Sequence, residues 1–210
     1  RYIYALDQYT GALQWRYKLG GMVYSSSPSV SGGMVFVGSD DNYIYALDQY
    51  TGALQWRYKT GSYVDSSPSV SGGMVFIGSN DKYIYALDQY TGALQWRYKL
   101  GGMVYSSSPS VSGGMVFVGS DDNYIYALDQ YTGALQWRYK TKLSILCSPS
   151  VSGGMVFIGS NDKYIYALDQ YTGALQWRYE TGGGVRSSPS VSGGMVFVGS
   201  SDNYIYALGD

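Results

Sequence analysis

Histidine is absent from the 210-residue chain, and cysteine occurs once, at Cys147. The chain therefore has no imidazole, the side chain that most often serves as a general base near neutral pH and as a metal ligand. A single cysteine cannot form an intramolecular disulfide, and it has no partners for a zinc site. We therefore expect no metal site and no catalytic residue.

Charged residues are scarce, and neither sign dominates. Lys and Arg total 14 and Asp and Glu total 15, which gives a net charge of −1. Such a chain has no excess of positive charge to attract nucleic-acid phosphates, so we expect no nucleic-acid partner. Its longest apolar runs, "MVFV" and "YIYAL", are far shorter than the roughly 20 residues of a membrane helix, and we expect no membrane span. No basic-then-apolar signal segment opens the chain, which begins inside a repeat, so we expect any leader to have been removed.

A repeat of 40 or 41 residues dominates the sequence. It is marked by five prolines: Pro28, Pro68, Pro109, Pro149 and Pro189. Each unit divides into "SSPSVSGG", "MVFVGS", "YIYALD" and "ALQWRYK", with small variations. The pieces are short and bounded by turn residues, and most are rich in β-branched or aromatic residues, which predicts strands. No piece has the 3.6-residue apolar period of a helix.

Four antiparallel strands per repeat predict the blades of an all-β propeller. The second and third pieces are apolar on both faces, as expected for middle strands buried between two neighbouring blades. Proline in the first piece suits the innermost strand, because that strand is a sheet edge with N–H groups free of ladder bonds.

The strand count predicts how the ring closes. The third piece occurs six times and each of the others five times. We predict one domain over residues 1–210 with five four-stranded blades, in which residues 1–18 and 187–210 share the terminal blade. Pairing of the N- and C-terminal strands would close the ring and leave one redundant third strand, frayed or displaced. A monomer is favoured, and the alternative is a larger ring of two chains that exchange this strand.

The segment "ALDQYTGALQW" joins the third strand to the fourth. Its Asp is expected to accept hydrogen bonds from backbone N–H groups of the turn, and its Gly to supply a positive φ. Its Trp is expected to pack against the next blade. The predicted blade-docking residues are Asp7, Trp15, Asp48, Trp56, Asp88, Trp96, Asp129, Trp137, Asp169 and Trp177.

The spacing A-x-D-x-x-T-G-x-x-x-W resembles the tryptophan-docking motif of the pyrroloquinoline-quinone repeat, the blade of quinoprotein propellers. The resemblance covers the whole chain and includes "VGSDDNYIYALD" from Val37 to Asp48. Family propellers generally carry eight blades, whereas this chain has five repeats. Asn or Lys also replaces the family glycine after the turn aspartate. The near identity of the repeats indicates recent amplification or deliberate engineering.

The resemblance implies either a quinone-dependent dehydrogenase or a non-catalytic scaffold, outside the cytoplasm. The dehydrogenases would require adjacent cysteines, a calcium shell and a catalytic aspartate. Cys147 stands alone and no such cluster interrupts the repeats. We therefore expect no cofactor, and we disfavour an oxidoreductase.

Differences between repeats are concentrated in the connection from the fourth strand to the next first strand. Each connection contains a Val or Ile followed by a variable residue. These five residues are the candidate ligand-binding set: Tyr24, Asp65, Tyr105, Leu146 and Arg186. We expect them to surround the mouth of the central channel, with Asp65 and Arg186 orienting a polar ligand and the tyrosines stacking on it. The alternative is neutral drift of the loops.

The expected function is a non-enzymatic scaffold that binds a protein or peptide through one face. An engineered chain would have no evolved function. The main alternative is a lectin-like carbohydrate binder whose equivalent pockets between blades act multivalently.

Overall fold

The chain is all-β. A computed structural model describes residues 1–209, which form twenty-one strands in six antiparallel sheets. Four sheets have four strands each, and the sheets at the two ends have two and three strands. The prediction of repeated four-stranded antiparallel sheets is confirmed. Within the described residues, no helix is long and apolar enough to cross a membrane.

The four complete sheets are called blades 1 to 4, and each runs from an inner to an outer strand. Blade 1 contains β3 (Ser29–Ser31), β4 (Met34–Gly38), β5 (Tyr43–Asp48) and β6 (Leu54–Lys59). Blade 2 contains β7 (Ser69–Ser71), β8 (Met74–Gly78), β9 (Tyr83–Asp88) and β10 (Leu94–Lys99). Blade 3 contains β11 (Ser110–Ser112), β12 (Met115–Gly119), β13 (Tyr124–Asp129) and β14 (Leu135–Lys140). Blade 4 contains β15 (Ser150–Ser152), β16 (Met155–Gly159), β17 (Tyr164–Asp169) and β18 (Leu175–Glu180).

Two smaller sheets flank these blades. The N-terminal hairpin contains β1 (Tyr2–Leu6) and β2 (Leu13–Lys18), which correspond to the third and fourth strands of a blade. The C-terminal sheet contains β19 (Ser190–Ser192), β20 (Met195–Gly199) and β21 (Ile205–Leu208), which correspond to the first three.

Neighbouring blades pack face to face. One face of each blade, called its front, packs against the opposite face, called the back, of the next blade. The front of blade 2 presents Phe76, Ile84 and Trp96, and the back of blade 3 presents Tyr126 and Leu128. All five side chains are buried in one cluster. Because successive residues of a strand point to opposite faces, each middle strand must be apolar throughout to supply both a front and a back. This is why "MVFVG" and "YIYALD" lack the polar alternation of a half-exposed strand.

The outer-strand tryptophan is fixed by packing and by one hydrogen bond. Trp56 donates Nε1–H to the carbonyl oxygen of Gln89 in the next blade at 2.9 Å, and its ring lies 5.7 Å from that of Phe36. A Cβ on Gly92, whose φ is +71°, would come within 2.6 Å of the Trp56 ring. The turn glycine is therefore required both by its backbone conformation and by the indole above it. The same indole bond recurs at three further junctions, from Trp15 to Gln49, Trp96 to Gln130 and Trp137 to Gln170.

The aspartate of each "DQYTG" turn accepts three hydrogen bonds. One oxygen of Asp48 accepts from the N–H of Tyr50 at 3.0 Å and from the N–H and hydroxyl of Thr51 at 2.8 and 2.9 Å. The Thr51 N–H and hydroxyl lower the pKa of Asp48, and the Tyr50 N–H contributes in the same direction. The carboxylate therefore stabilises the turn in its charged form.

Serines link the inner strands of adjacent blades. The hydroxyl of Ser110 donates to the carbonyl oxygen of Pro149 at 2.6 Å, and the N–H of Ser108 donates to the hydroxyl oxygen of Ser148 at 2.8 Å. Ser29 and Ser69 make the corresponding hydroxyl bonds to Pro68 and Pro109. The "SSPS" segment therefore joins blades, in addition to placing proline at a sheet edge.

The predicted closure into a five-bladed ring is not confirmed. Within residues 1–209, the N-terminal hairpin and the C-terminal sheet remain separate sheets, and no strand pairing joins them. Each terminal third strand pairs with its neighbour in sequence, β1 with β2 and β21 with β20, so neither is displaced. These local hairpins form without bringing the chain ends together. The result is an open series of stacked sheets, with Leu6 58% and Ile205 83% exposed.

Substitution of Trp96 tests the blade junction. Trp96→Ala removes the buried ring and the bond to Gln130, and we expect a loss of about 3–5 kcal/mol in the free energy of unfolding. Trp96→Phe retains a ring but loses the N–H donor, and we expect a loss of about 1–3 kcal/mol because the carbonyl is left unpaired. Urea denaturation measures both. Tyr90→Ala, at an exposed turn position, is the control and should change stability by less than about 0.5 kcal/mol.

The turn carboxylates predict acid sensitivity. Their lowered pKa means that their stabilising contribution is complete above the ordinary value of 3.8 and is lost as the pH falls through the folded-state value. Unfolding free energy should therefore fall steeply below about pH 4. A variant with Asn at positions 48, 88, 129 and 169 should have a shallower slope, as measured by denaturation between pH 2 and pH 7. A slope equal to that of the wild type would contradict this role of the carboxylates.

Candidate binding face

The five variable loops lie at the same end of their sheets as the turn between the second and third strands. The loop before blade 2 shows how each is held. The N–H of Asn80, in the turn of blade 2, donates to the carbonyl oxygen of Tyr63 at 2.9 Å. The N–H of Val64 donates to the carbonyl oxygen of Ser39, in the turn of blade 1, at 3.3 Å. Each interior loop therefore bridges the turns of two neighbouring sheets, and we call this surface the loop face.

A buried aliphatic side chain anchors each interior loop. Val104 is buried, and a Cβ built on Gly78 would lie 2.3 Å from its Cγ1 atom. The glycine of "VGS" or "IGS" therefore makes room for the anchor of the following loop. The same contact recurs between Gly38 and Val64, Gly119 and Ile145, and Gly159 and Val185. Because the anchor points inward, the residue after it lies in an equivalent place at each junction.

The predicted site residues occupy these equivalent places. Tyr24 is 79% exposed, Tyr105 and Arg186 are also exposed, and Asp65 and Leu146 are half-buried. They line none of three cavities, of 690, 380 and 500 Å³, found in the described part of the chain. The five side chains therefore form a row of equivalent positions along the loop face, outside these three cavities.

The two charged residues of the row are held by neighbouring turns. Asp65 accepts a hydrogen bond from Nδ2 of Asn80 at 2.8 Å. Burial and the nearby Asp65 carboxylate raise the pKa of Asp40. Arg186 donates from Nε to Oδ1 of Asn161 at 3.0 Å. The row therefore presents a carboxylate at the junction of blades 1 and 2 and a guanidinium group at the junction of blade 4 with the C-terminal sheet.

A hydrogen bond between a tyrosine hydroxyl and a turn carboxylate supports the loops. Asp81 accepts hydrogen bonds from the hydroxyl of Tyr85 at 2.6 Å and from the N–H of Gly61 at 2.7 Å. Burial and the Asp81 carboxylate raise the pKa of Tyr85. This contact is not among the predictions made from the sequence. The spacing of Asp and Tyr four residues apart in "DDNYIY" and "NDKYIY" is the signal that could have revealed it.

Cys147 belongs to the frame of the fold. It is buried, and its Sγ atom accepts from the N–H of Gly159 at 3.3 Å. Serine makes this bond at the equivalent positions, as between Ser107 and Gly119 at 2.9 Å. Burial raises the pKa of the Cys147 thiol to about 12, so the thiolate is disfavoured at neutral pH.

The quinone and calcium that the dehydrogenase branch of the resemblance implies do not fit these residues. The single cysteine is buried and offers no adjacent pair. Among residues 1–209, no group of three His, Cys, Asp or Glu side chains is arranged to hold a metal ion. The loop face instead offers a carboxylate, a guanidinium group, two phenols and an alkyl side chain, a combination suited to binding.

Solved structures share this architecture. BamB from Moraxella catarrhalis superposes with a TM-score of 0.82 and 23% sequence identity, over 95% of this chain and 65% of that one. The computationally designed Ika8 protein superposes with a TM-score of 0.85 and 19% identity, over 96% of this chain and 63% of that one. The chain thus spans less than two thirds of the length of either structure. At these identities the likeness shows the fold alone.

Sequence comparison identifies the repeat itself. No curated protein matches the chain. The family described as outer membrane protein assembly factor BamB matches residues 1–69, 61–148 and 141–209, in keeping with the tryptophan-docking motif and the stacked four-stranded sheets. The chain therefore belongs to this BamB-like family of pyrroloquinoline-quinone-type β-propeller repeats.

Proposed function

We propose that residues 1–210 form a single non-enzymatic propeller scaffold that binds an extended polypeptide across the loop face. The observation that carries the proposal is the placement of the variation between repeats. The frame of every blade is nearly identical, whereas the residue after the loop anchor is Tyr at two junctions and Asp, Leu and Arg at the other three. The family description, an assembly factor for outer membrane proteins, supports a polypeptide ligand.

The order of side chains along the loop face indicates the ligand chemistry. Asp65, beside Asp40, favours a basic group on the ligand, and Arg186 favours an acidic group. Tyr105 and Leu146 lie at the intervening junctions and favour apolar contact. Exposed ion pairs contribute only about 0.2–1 kcal/mol each, so binding must combine several such contacts along one chain.

The unlike chemistry of the loop residues also separates this proposal from the lectin alternative. Equivalent sugar sites would require the same side chains at each junction, as in a multivalent array. An acid, a base, two phenols and an alkyl group at corresponding positions suit one non-repeating ligand better. We therefore favour a peptide over a repeated sugar epitope.

Selection from a displayed library of unstructured peptides tests the proposal. Peptides of about a dozen residues would be selected on the wild-type chain and their affinities measured by titration. A variant with Ser at positions 24, 65, 105, 146 and 186 should bind them at least about tenfold more weakly, a loss of about 1.4 kcal/mol. Selected peptides should carry basic and acidic groups separated by apolar residues.

A matched control places the same number of changes on the opposite end of the sheets. It replaces the exposed turn tyrosines Tyr9, Tyr50, Tyr90, Tyr131 and Tyr171 with Ser. Affinity should be unchanged in this control. Peptides that bind the loop variant as well as they bind the wild type would contradict the proposal. Saturable sugar binding on a glycan array, with several equal sites and no peptide binding, would support the lectin instead.

A further inference from the structure

The two ends of the described chain expose the faces that every interior junction buries. Leu6 is 58% exposed, whereas Leu47, Leu87, Leu128 and Leu168, at the same position of the repeat, are fully buried. Met195 is 41% exposed, whereas its equivalents Met34, Met74 and Met115 are buried. The N-terminal hairpin therefore presents an uncovered back, and the C-terminal sheet presents an uncovered front.

The two ends also contain complementary sets of strands. The C-terminal sheet supplies the first and second strands of a blade, and the N-terminal hairpin supplies the third and fourth. The third strand of the C-terminal sheet, β21, repeats the YIYAL sequence of β1. Since the two segments are identical, β1 can make every strand contact with β20 that β21 now makes.

The N-terminal copy fits a complete blade better than the C-terminal copy. Asp7 follows β1 and accepts from the N–H groups of Tyr9 and Thr10 at 3.0 and 2.8 Å, which holds the turn into β2. Gly209 stands at the corresponding position after β21. Strand β21 has four residues, whereas the third strands of blades 1 to 4 have six. No fourth strand pairs with β21 within residues 1–209.

We propose that copies of this 210-residue chain associate head to tail, with the N-terminal hairpin of one copy replacing β21 in the C-terminal sheet of a second copy. The result is a four-stranded composite blade of β19 and β20 from one chain and β1 and β2 from the other. This is strand addition to a sheet, and the partner it fits is a second copy of this chain.

The register of the composite blade follows from the interior blades. In blade 1, Val35 pairs with Leu47 and Val37 pairs with Tyr45. The same register aligns Val196 with Leu6 of the second copy, and Val198 with its Tyr4. Leu208 now packs with Phe157 and Ala167 of blade 4 in its own chain. In the composite blade, Leu6 of the second copy takes the place of Leu208 in this contact.

The same arrangement fills the crevice at the N-terminal end. A cavity of 380 Å³ there is lined by Ile3, Trp15, Val30 and Val35, among other residues. At each interior junction, the Met and Phe of one blade's second strand pack against the second-strand Val of the next blade. At the junction of blades 1 and 2, for example, Met34 and Phe36 share a buried cluster with Val75. In the composite blade, Met195 and Phe197 take the positions of Met34 and Phe36, and they pack against Val35 of the other copy. Strand replacement thus buries both exposed ends through contacts that the fold already repeats.

The mass of the chain in solution tests this association. Sedimentation velocity of the 210-residue chain over a range of concentrations should show species larger than the 23.0 kDa monomer, increasing with concentration. Leu6→Arg and Met195→Arg should each sediment as monomers. Tyr131→Arg, at an exposed turn of blade 3 away from both ends, is the matched control and should associate like the wild type.

Mixing the two monomeric variants tests the head-to-tail geometry. The Met195→Arg chain retains an intact hairpin, and the Leu6→Arg chain retains an intact C-terminal sheet. Their mixture should form a one-to-one heterodimer and nothing larger, because only one junction can form. Heterodimer formation would also show that both variants are folded.

Deletion of residues 204–210 distinguishes strand replacement from simple stacking of the two ends. Removal of the competing copy should leave association equal to or stronger than that of the wild type. Loss of association on deletion would show that β21 itself forms the contact and would overturn the proposal. A wild-type chain that stays monomeric at every concentration, as closure within one chain predicts, would also overturn it.

Discussion

The structure depends on one repeated contact, the packing of the front of one blade against the back of the next. The front carries Phe, Ile, Ala and Trp, and the back carries Val, Tyr and Leu. Each middle strand must therefore supply apolar side chains to both faces of its blade. This contact explains the uninterrupted apolar middle strands and the outer tryptophan. It also explains why most variation lies in the loops and the middle strands differ only by exchange of Val and Ile, as at Val37 and Ile77, since a larger change in a middle strand alters the packing of that blade against its neighbours.

Much of this frame could be predicted from the sequence because it is built from local signals repeated five times. The strands follow from short apolar pieces, and the turns follow from Gly-Gly and "DQYTG", whose glycines adopt positive φ. Asn42 and Lys82, which replace the family glycine after the turn aspartate, also adopt the left-handed conformation. Local spacing contains this information because each turn is stabilised within its own few residues, as Asp48 and Thr51 illustrate.

Contacts between repeats were harder to predict. The indole bond of Trp56 to Gln89 joins residues 33 positions apart, and the serine bonds to proline carbonyls join residues about 40 apart. Closure into a five-bladed ring is not confirmed for the same reason, because strand counting cannot show whether two distant ends meet. The five loop residues remain a predicted binding set. The pairing of Asp65 with Asn80 and of Arg186 with Asn161 depends on side-chain geometry that spacing alone does not specify.

The central claim is that burial between two neighbouring blades, and not the strand sequence itself, determines local stability. Hydrogen exchange measured by mass spectrometry at high dilution tests this directly, because "YIYAL" occurs in six places and its terminal copies give peptides of distinct mass. The account predicts slow exchange in the interior copies at residues 43–47, 83–87, 124–128 and 164–168, and much faster exchange at residues 204–208, which only one blade covers. Equal protection of all six copies would contradict it.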